Sequence, residues 1–177
     1  MRPVLYLVVC AAPPARQIDQ LVDLLARHGW RVCVIATPTA AAGWVDADRL
    51  AAKTGHPVRS APRHPSDPRS LPEADAIAVV PATFNTINKW AGGISDTFAL
   101  GILNEALGLR LPIVVSPYVK STLATHPAFD RSLGVLREHG VHVTATEAIR
   151  PAGGGDGFAW PVIVEVLRAY RPPATGT

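Results

Sequence analysis

Residues 76–90, Ala-Ile-Ala-Val-Val-Pro-Ala-Thr-Phe-Asn-Thr-Ile-Asn-Lys-Trp, decide how this chain folds. The run opens with apolar residues on both alternating faces, at 76–80. A strand with no polar face belongs inside a parallel sheet that is covered on both sides. Straight after it, Thr83, Asn85 and Thr86 crowd hydrogen-bonding side chains into one turn, and a helical pattern follows over 86–90. Strand, polar turn and helix in that order are the unit of an α/β fold.

Working outward, the same unit recurs. Val4–Val9 reads as a first strand. Ile18, Leu21, Val22, Leu24 and Leu25 repeat at helical spacing until Gly29 stops them. Residues 31–36 give a second strand, 40–45 a helix, and 48–53 a short helix closed by Gly55. Five prolines make 56–72 an irregular connection. Beyond the central run come a helix over 97–107 and a strand over 112–116. Asp130 is placed to cap a helix ending near Gly140, and 141–143 is a last strand. After a Gly-rich loop, Pro161 opens a final helix whose Val162, Val166 and Leu167 are expected to face a core. The expectation is a doubly wound, Rossmann- or flavodoxin-like parallel sheet in a single three-layer domain spanning 1–177, with 171–177 a disordered tail.

Composition narrows the function. The chain has 177 residues, 48% of them hydrophobic and 18% charged, which suits a packed core. Seventeen Lys and Arg against fourteen Asp and Glu form no basic stripe, so no nucleic-acid partner is expected. No apolar run reaches membrane-spanning length, and Val4–Val9 reads as a buried strand rather than a signal core; the expected location is cytoplasmic. Cys10 and Cys33 lie in apolar runs without framework spacing and are expected to pack in the core. No metal site is expected, because no histidine pair has ligand spacing with a carboxylate.

In open α/β sheets ligands bind beyond the carboxyl ends of the strands. The segments to inspect are therefore 10–16, 37–40, 81–89 and 116–123. Hydroxyls and free amides at helix starts are what a phosphate requires. Thr83, Asn85 and Thr86 also read as helix caps, but the continuation through Lys89, Gly93, Ile94 and Asp96 exceeds what capping needs.

That run, 81–89 followed by Gly93-Ile94-Ser95-Asp96, resembles the Pro-Ala-Ser/Thr-x-Asn-Thr signature of the homo-oligomeric flavin-containing cysteine decarboxylases. This group includes phosphopantothenoylcysteine decarboxylase and enzymes that oxidise C-terminal peptidyl cysteines. The resemblance continues through Gly55 and Val58, the 117–136 region and Gly155-Asp156-Gly157. It implies FMN as cofactor, a small-molecule or peptide C-terminal substrate, and a homo-trimer or higher oligomer. It places Ala11, Ala12, Thr37, Thr39, Ala82, Thr83, Asn85, Thr86 and Ser116 around the flavin. Ala11 and Ala12 stand where the family has Gly-Ser, so that loop has only backbone N–H to offer a phosphate, and Pro13 and Pro14 remove two more donors. Phe84 and Trp90 either meet a neighbouring subunit or pack in the core.

The resemblance breaks at the chemistry. The family base is a His eight residues before the Asp of the Ala74-Asp75 dipeptide, and Asp67 holds that place. His64 lies three residues earlier, as a displaced base or an exposed loop residue. The clamp Pro-x-Met-Asn-x-x-Met is here Pro117 to Leu123, with Lys120 for the Asn. Lys120 either pairs with a substrate anion or is a solvated surface Lys. The family's late Cys has no counterpart between Glu147 and Trp160. The candidate catalytic set is thus Asn85, Asp67, His64 and Lys120. Three readings follow: a flavin-dependent decarboxylase-like enzyme with altered catalytic residues, a flavin-binding or regulatory protein without catalysis, or a prenyl-flavin-forming transferase.

Overall fold

The computed structural model describes residues 2–62, 66, 71–151, 153 and 155–171. In chain order the elements are β1 (Val4–Val9), α1 (Ile18–Arg27), β2 (Arg31–Ala36), α2 (Pro38–Ala41), α3 (Ala47–Thr54) and β3 (Ala76–Ala82). Then come α4 (Phe84–Ala91), α5 (Phe98–Gly108), β4 (Ile113–Pro117), α6 (Ser121–Ala124), α7 (Pro127–Glu138), β5 (His142–Val143) and α8 (Pro161–Arg168). A 3-10 turn, Pro13–Gln17, links β1 to α1.

The strands form one parallel sheet in the order β2-β1-β3-β4-β5. The doubly wound arrangement expected from the sequence is the one adopted. Strand alternation sorts the core into two layers. Leu5, Leu7 and Val9 of β1 pack with Leu21, Leu25 and Ile163 on one face. Val8, Ile77 and Val79 pack with Ile87, Leu103 and Leu133 on the other. The chain winds outward in both directions from β1 and β3, so the crevice of the sheet opens between their carboxyl ends. There the Cys10 N–H donates to the Pro81 carbonyl at 3.1 Å, fastening the two strand ends together.

Several local expectations need correction. The helix read over 40–45 is α2, which starts two residues earlier and ends four earlier: Pro38 supplies a ready-made first-turn φ and Thr37 caps it, its Oγ1 accepting from Ala40 N–H at 3.3 Å. The cap of α7 is His126, whose Nδ1 accepts from Ala128 N–H at 3.1 Å, while Asp130 sits in the first turn. Val162 is 38% exposed; Ile163, Val164 and Leu167 bury the face of α8 instead. Trp90 is buried, and Phe84 is half-buried against Phe129 and the edge of His126. The strand expected over 76–80 runs on through Ala82. Residues 172–177 of the expected tail lie outside the described residues. Among the described residues no helix is long and apolar enough to cross a membrane.

Candidate functional site

Two clefts open at the carboxyl ends of the strands, and they meet along Ala11, Thr83 and Asn85. The smaller, of about 390 Å³, is walled by Thr37, Thr39, Thr83, Thr86 and Thr97. The larger, of about 680 Å³, has Trp44, Phe84, Tyr118, Val119 and Leu123 as apolar walls, with Lys120 and Arg150 beside them.

The hydroxyl-lined cleft is built on the start of α4. Thr83 precedes that helix but its side chain caps nothing. The helices on either side are closed differently: Thr37 caps α2, and Thr97 Oγ1 accepts from Leu100 N–H at 3.2 Å at the head of α5. The first-turn amides of α4 are therefore left without a side-chain acceptor, beside a cleft. The helix dipole adds positive potential at the same point.

Beneath it runs a short chain of hydrogen bonds. The Thr83 hydroxyl donates to Thr86 Oγ1 at 3.2 Å, and the buried Cys10 thiol donates to the same oxygen at 3.4 Å. Burial pushes the Cys10 thiol up, against the opposing pull of hydrogen bonds from Thr86 and Thr83. It therefore stays a donor at neutral pH and holds the Thr86 hydroxyl in place. Lys89 lines the same cleft and pairs with Asp96 at 2.5 Å. Such a donor set of hydroxyls, an amide, free backbone N–H groups and one ammonium suits a phosphate and polyol.

The aromatic cleft draws its walls from distant parts of the chain. Trp44 follows α2 and carries the Arg16 guanidinium over its ring at 5.1 Å. Tyr118 follows β4 and stands edge-on to Phe158. Arg150 comes from the loop after β5. It lies 4.9 Å over the Tyr118 ring and makes a two-pronged pair with Glu147, at 2.5 and 2.6 Å. That pairing holds the Glu147 carboxyl below the usual carboxylate range.

The residues expected around a flavin divide as follows. Ala11, Thr37, Thr39, Thr83, Asn85 and Thr86 line the hydroxyl cleft, and Ala11, Ala12, Thr83 and Asn85 line the aromatic one. Lys120 also borders the aromatic cleft. Ala82 is buried and its carbonyl accepts from Tyr118 N–H at 2.9 Å. Ser116 lies apart: fully buried, its Oγ accepts from the Thr144 hydroxyl at 3.1 Å and ties β4 to the chain after β5. His64 and Asp67 lie outside the described residues. Reading the sequence missed Trp44 and Arg150. Arg150 follows the last strand of the sheet, so the same strand-end rule, applied to that loop, finds it.

With this geometry in view, comparisons with known proteins are informative. A sequence model described as Flavoprotein matches residues 2–169. A cysteine/cysteine sulfinic acid decarboxylase from an unknown prokaryotic organism is 36% identical over 81 residues, 46% of this chain and 20% of the relative. The chain thus matches about a fifth of that relative's length. The FMN-dependent cysteine decarboxylase TvaF from thioviridamide biosynthesis superposes with a TM-score of 0.74 at 21% identity, over 96% of this chain and 98% of that one. A PPC decarboxylase mutant complexed with pantothenoylaminoethenethiol gives 0.72 at 21% identity, over the same 96% and 98%. At such identities the structures show a shared fold. The match over nearly the whole chain settles membership: this protein belongs to the Flavoprotein family.

Proposed function

We propose that this chain binds FMN and acts as a decarboxylase-like flavoenzyme on a small or peptidyl substrate carrying a thiol and a carboxylate. The observation that carries the reading is the uncapped start of α4 facing a cleft lined by Thr83, Asn85 and Thr86. The relatives' printed activities, FMN-dependent cysteine decarboxylation among them, support it.

On this reading Thr37, Thr39, Thr83 and Thr86, with the first-turn amides of α4, hold the phosphate and ribityl hydroxyls. Ala11, Thr83 and Asn85, shared by the two clefts, would hold the flavin ring, and the aromatic cleft would be left to substrate. Bound FMN would supply a two-electron acceptor. The chain's own residues do the rest. Asn85 is exposed where the clefts meet and presents an amide to a ligand on either side. Phe84, Tyr118, Val119 and Leu123 exclude water from a reacting thiol, and low polarity strengthens every charge interaction there. Proton transfer is assigned to Asp67 or His64. By family analogy the working unit is a homo-oligomer, and a trimer is the expected state.

The test is direct. Purified protein should be yellow, and apoprotein should take up FMN in a fluorescence titration; colourless protein with no FMN affinity overturns the reading. Anaerobic addition of a cysteine-ended peptide should bleach the flavin. FMN binding without bleaching by any thiol would make the chain a flavin-binding protein without this chemistry.

A further inference from the structure

The other end of the sheet, at the amino ends of β3 and β4, carries a patch that neither cleft uses. There α5 closes in a turn with two defining hydrogen bonds. Leu111 N–H donates to the Ala106 carbonyl at 3.0 Å, and Arg110 N–H to the Leu107 carbonyl at 3.1 Å. That pair of bonds requires a left-handed residue between them, and Arg110 takes the place with a φ of 56°. Glycine adopts that backbone freely, whereas a side chain strains it. Arg110 is exposed, and its side chain makes no hydrogen bond or ion pair among the described residues. The helix dipole favours a cation at this end, but Leu109, with a φ of −77°, would carry one without strain. Nothing within the chain's own fold thus repays an arginine at 110.

Leu109 beside it is 72% exposed, more than any other large hydrophobic residue described. It stands at the edge of a groove of about 540 Å³. Ile77, Ile102, Ala106 and Leu111 give that groove apolar walls, and its charged side chains among the described residues are Glu73 and Glu105. Glu105 is exposed and, like Arg110, has no side-chain partner among the described residues. One patch therefore holds an apolar knob beside an apolar hole, and an unpaired cation near an unpaired carboxylate. A surface with both halves of each contact complements itself, which is what a two-fold contact between identical chains demands. An unrelated partner would call for only one half of each.

We propose that this patch is a two-fold interface between copies of this chain. Leu109 of one copy enters the mouth of the partner's groove, Arg110 pairs with the partner's Glu105, and the symmetry repeats both contacts. The interface lies at the far end of the strands from both clefts, so it stands or falls apart from the flavin reading. It joins whatever unit forms elsewhere into pairs, so the particle holds an even number of chains.

Sedimentation equilibrium over a dilution series tests it. Wild-type protein should form a particle with an even number of chains. Leu109→Asp should keep the fold, by circular dichroism, and weaken pairing about a hundredfold, because two leucines leave the interface at once. Arg110→Glu and Glu105→Arg should each weaken it about tenfold, and the double reversal should recover it to within about threefold of wild type. Arg110→Gly separates interface from fold. It should weaken pairing about fivefold, yet in the Leu109→Asp background, where pairing is lost, it should not lower the melting temperature. A lower melting temperature there would show Arg110 serving its own chain and overturn its place in the interface. An odd particle, a lone chain or a trimer included, overturns the proposal. So does a Leu109→Asp variant that pairs like wild type, or a double reversal no better than its single changes.

Discussion

The two clefts share a rim and differ in how they are made. The hydroxyl cleft draws Thr83, Asn85, Thr86 and Lys89 from one continuous strand-turn-helix segment. The aromatic cleft collects Trp44, Phe84, Tyr118 and Arg150 from the ends of four different strands. A site made by local backbone geometry tolerates drift elsewhere, because a helix start offers its amides whatever the neighbouring loops do. A site assembled from separate loops changes character with each loop. In the sequence, accordingly, the resemblance runs through the single segment that builds the first cleft, while the second draws on loops where it breaks, as expected at Lys120.

That contrast can be broken in four ways. The largest expected effect comes from Thr83→Ala combined with Thr86→Val, which should weaken FMN about a hundredfold by fluorescence titration, through lost hydroxyls at the phosphate. Substrate affinity in the aromatic cleft should survive; its loss would mean that the clefts are one site. Trp44→Ala should do the opposite. Substrate affinity should fall about tenfold, as a large apolar wall disappears, while FMN affinity stays within about threefold. A fall in both would put the flavin ring against Trp44.

Cys10→Ala should weaken FMN about threefold, because Thr86 loses the donor that fixes it, and Cys10→Ser should restore most of the loss. A control lies in the other thiol. Burial pushes Cys33 up to about 11, with nearby Arg31 opposing. A thiol raised on folding favours the protonated native state. Its contribution is fully present below the thiol's ordinary value of 9.0 and is lost as pH climbs through the folded one. Denaturant melts from pH 8 to 11 should therefore show stability falling at alkaline pH, with a shallower fall in Cys33→Ala and no change in FMN affinity at neutral pH. An unchanged alkaline slope would contradict this account of Cys33.

The sheet and the first cleft were legible because short-range rules govern them. Val4–Val9 and Arg31–Ala36 emerged with the same bounds from apolar content alone, since buried parallel strands have no polar face to confuse the pattern. Gly55 was readable as a helix stop because its φ of 72° is left-handed. Caps were harder. His126 beat Asp130 because the cap is decided by where the chain turns, and Pro127 fixes that turn one residue later. Trp44 left no local trace, and Arg150 only its place after the last strand: they sit 106 residues apart and come to one cleft only through the folded sheet. Ser116 shows where position alone says too little. It stands at a strand end, yet its side chain points into the protein and satisfies Thr144.

One feature of the backbone reaches across both clefts. The Ala82 carbonyl, next to Thr83, accepts from Tyr118, and the neighbouring Pro117 carbonyl accepts from Glu147, which grips Arg150. Peptide units thus form an unbroken line from the start of α4 to the guanidinium, with no flexible side chain until its last link. Whatever coupling this line carries is mutual by thermodynamic linkage: the factor that a ligand at one end adds to affinity at the other is the factor it receives in return.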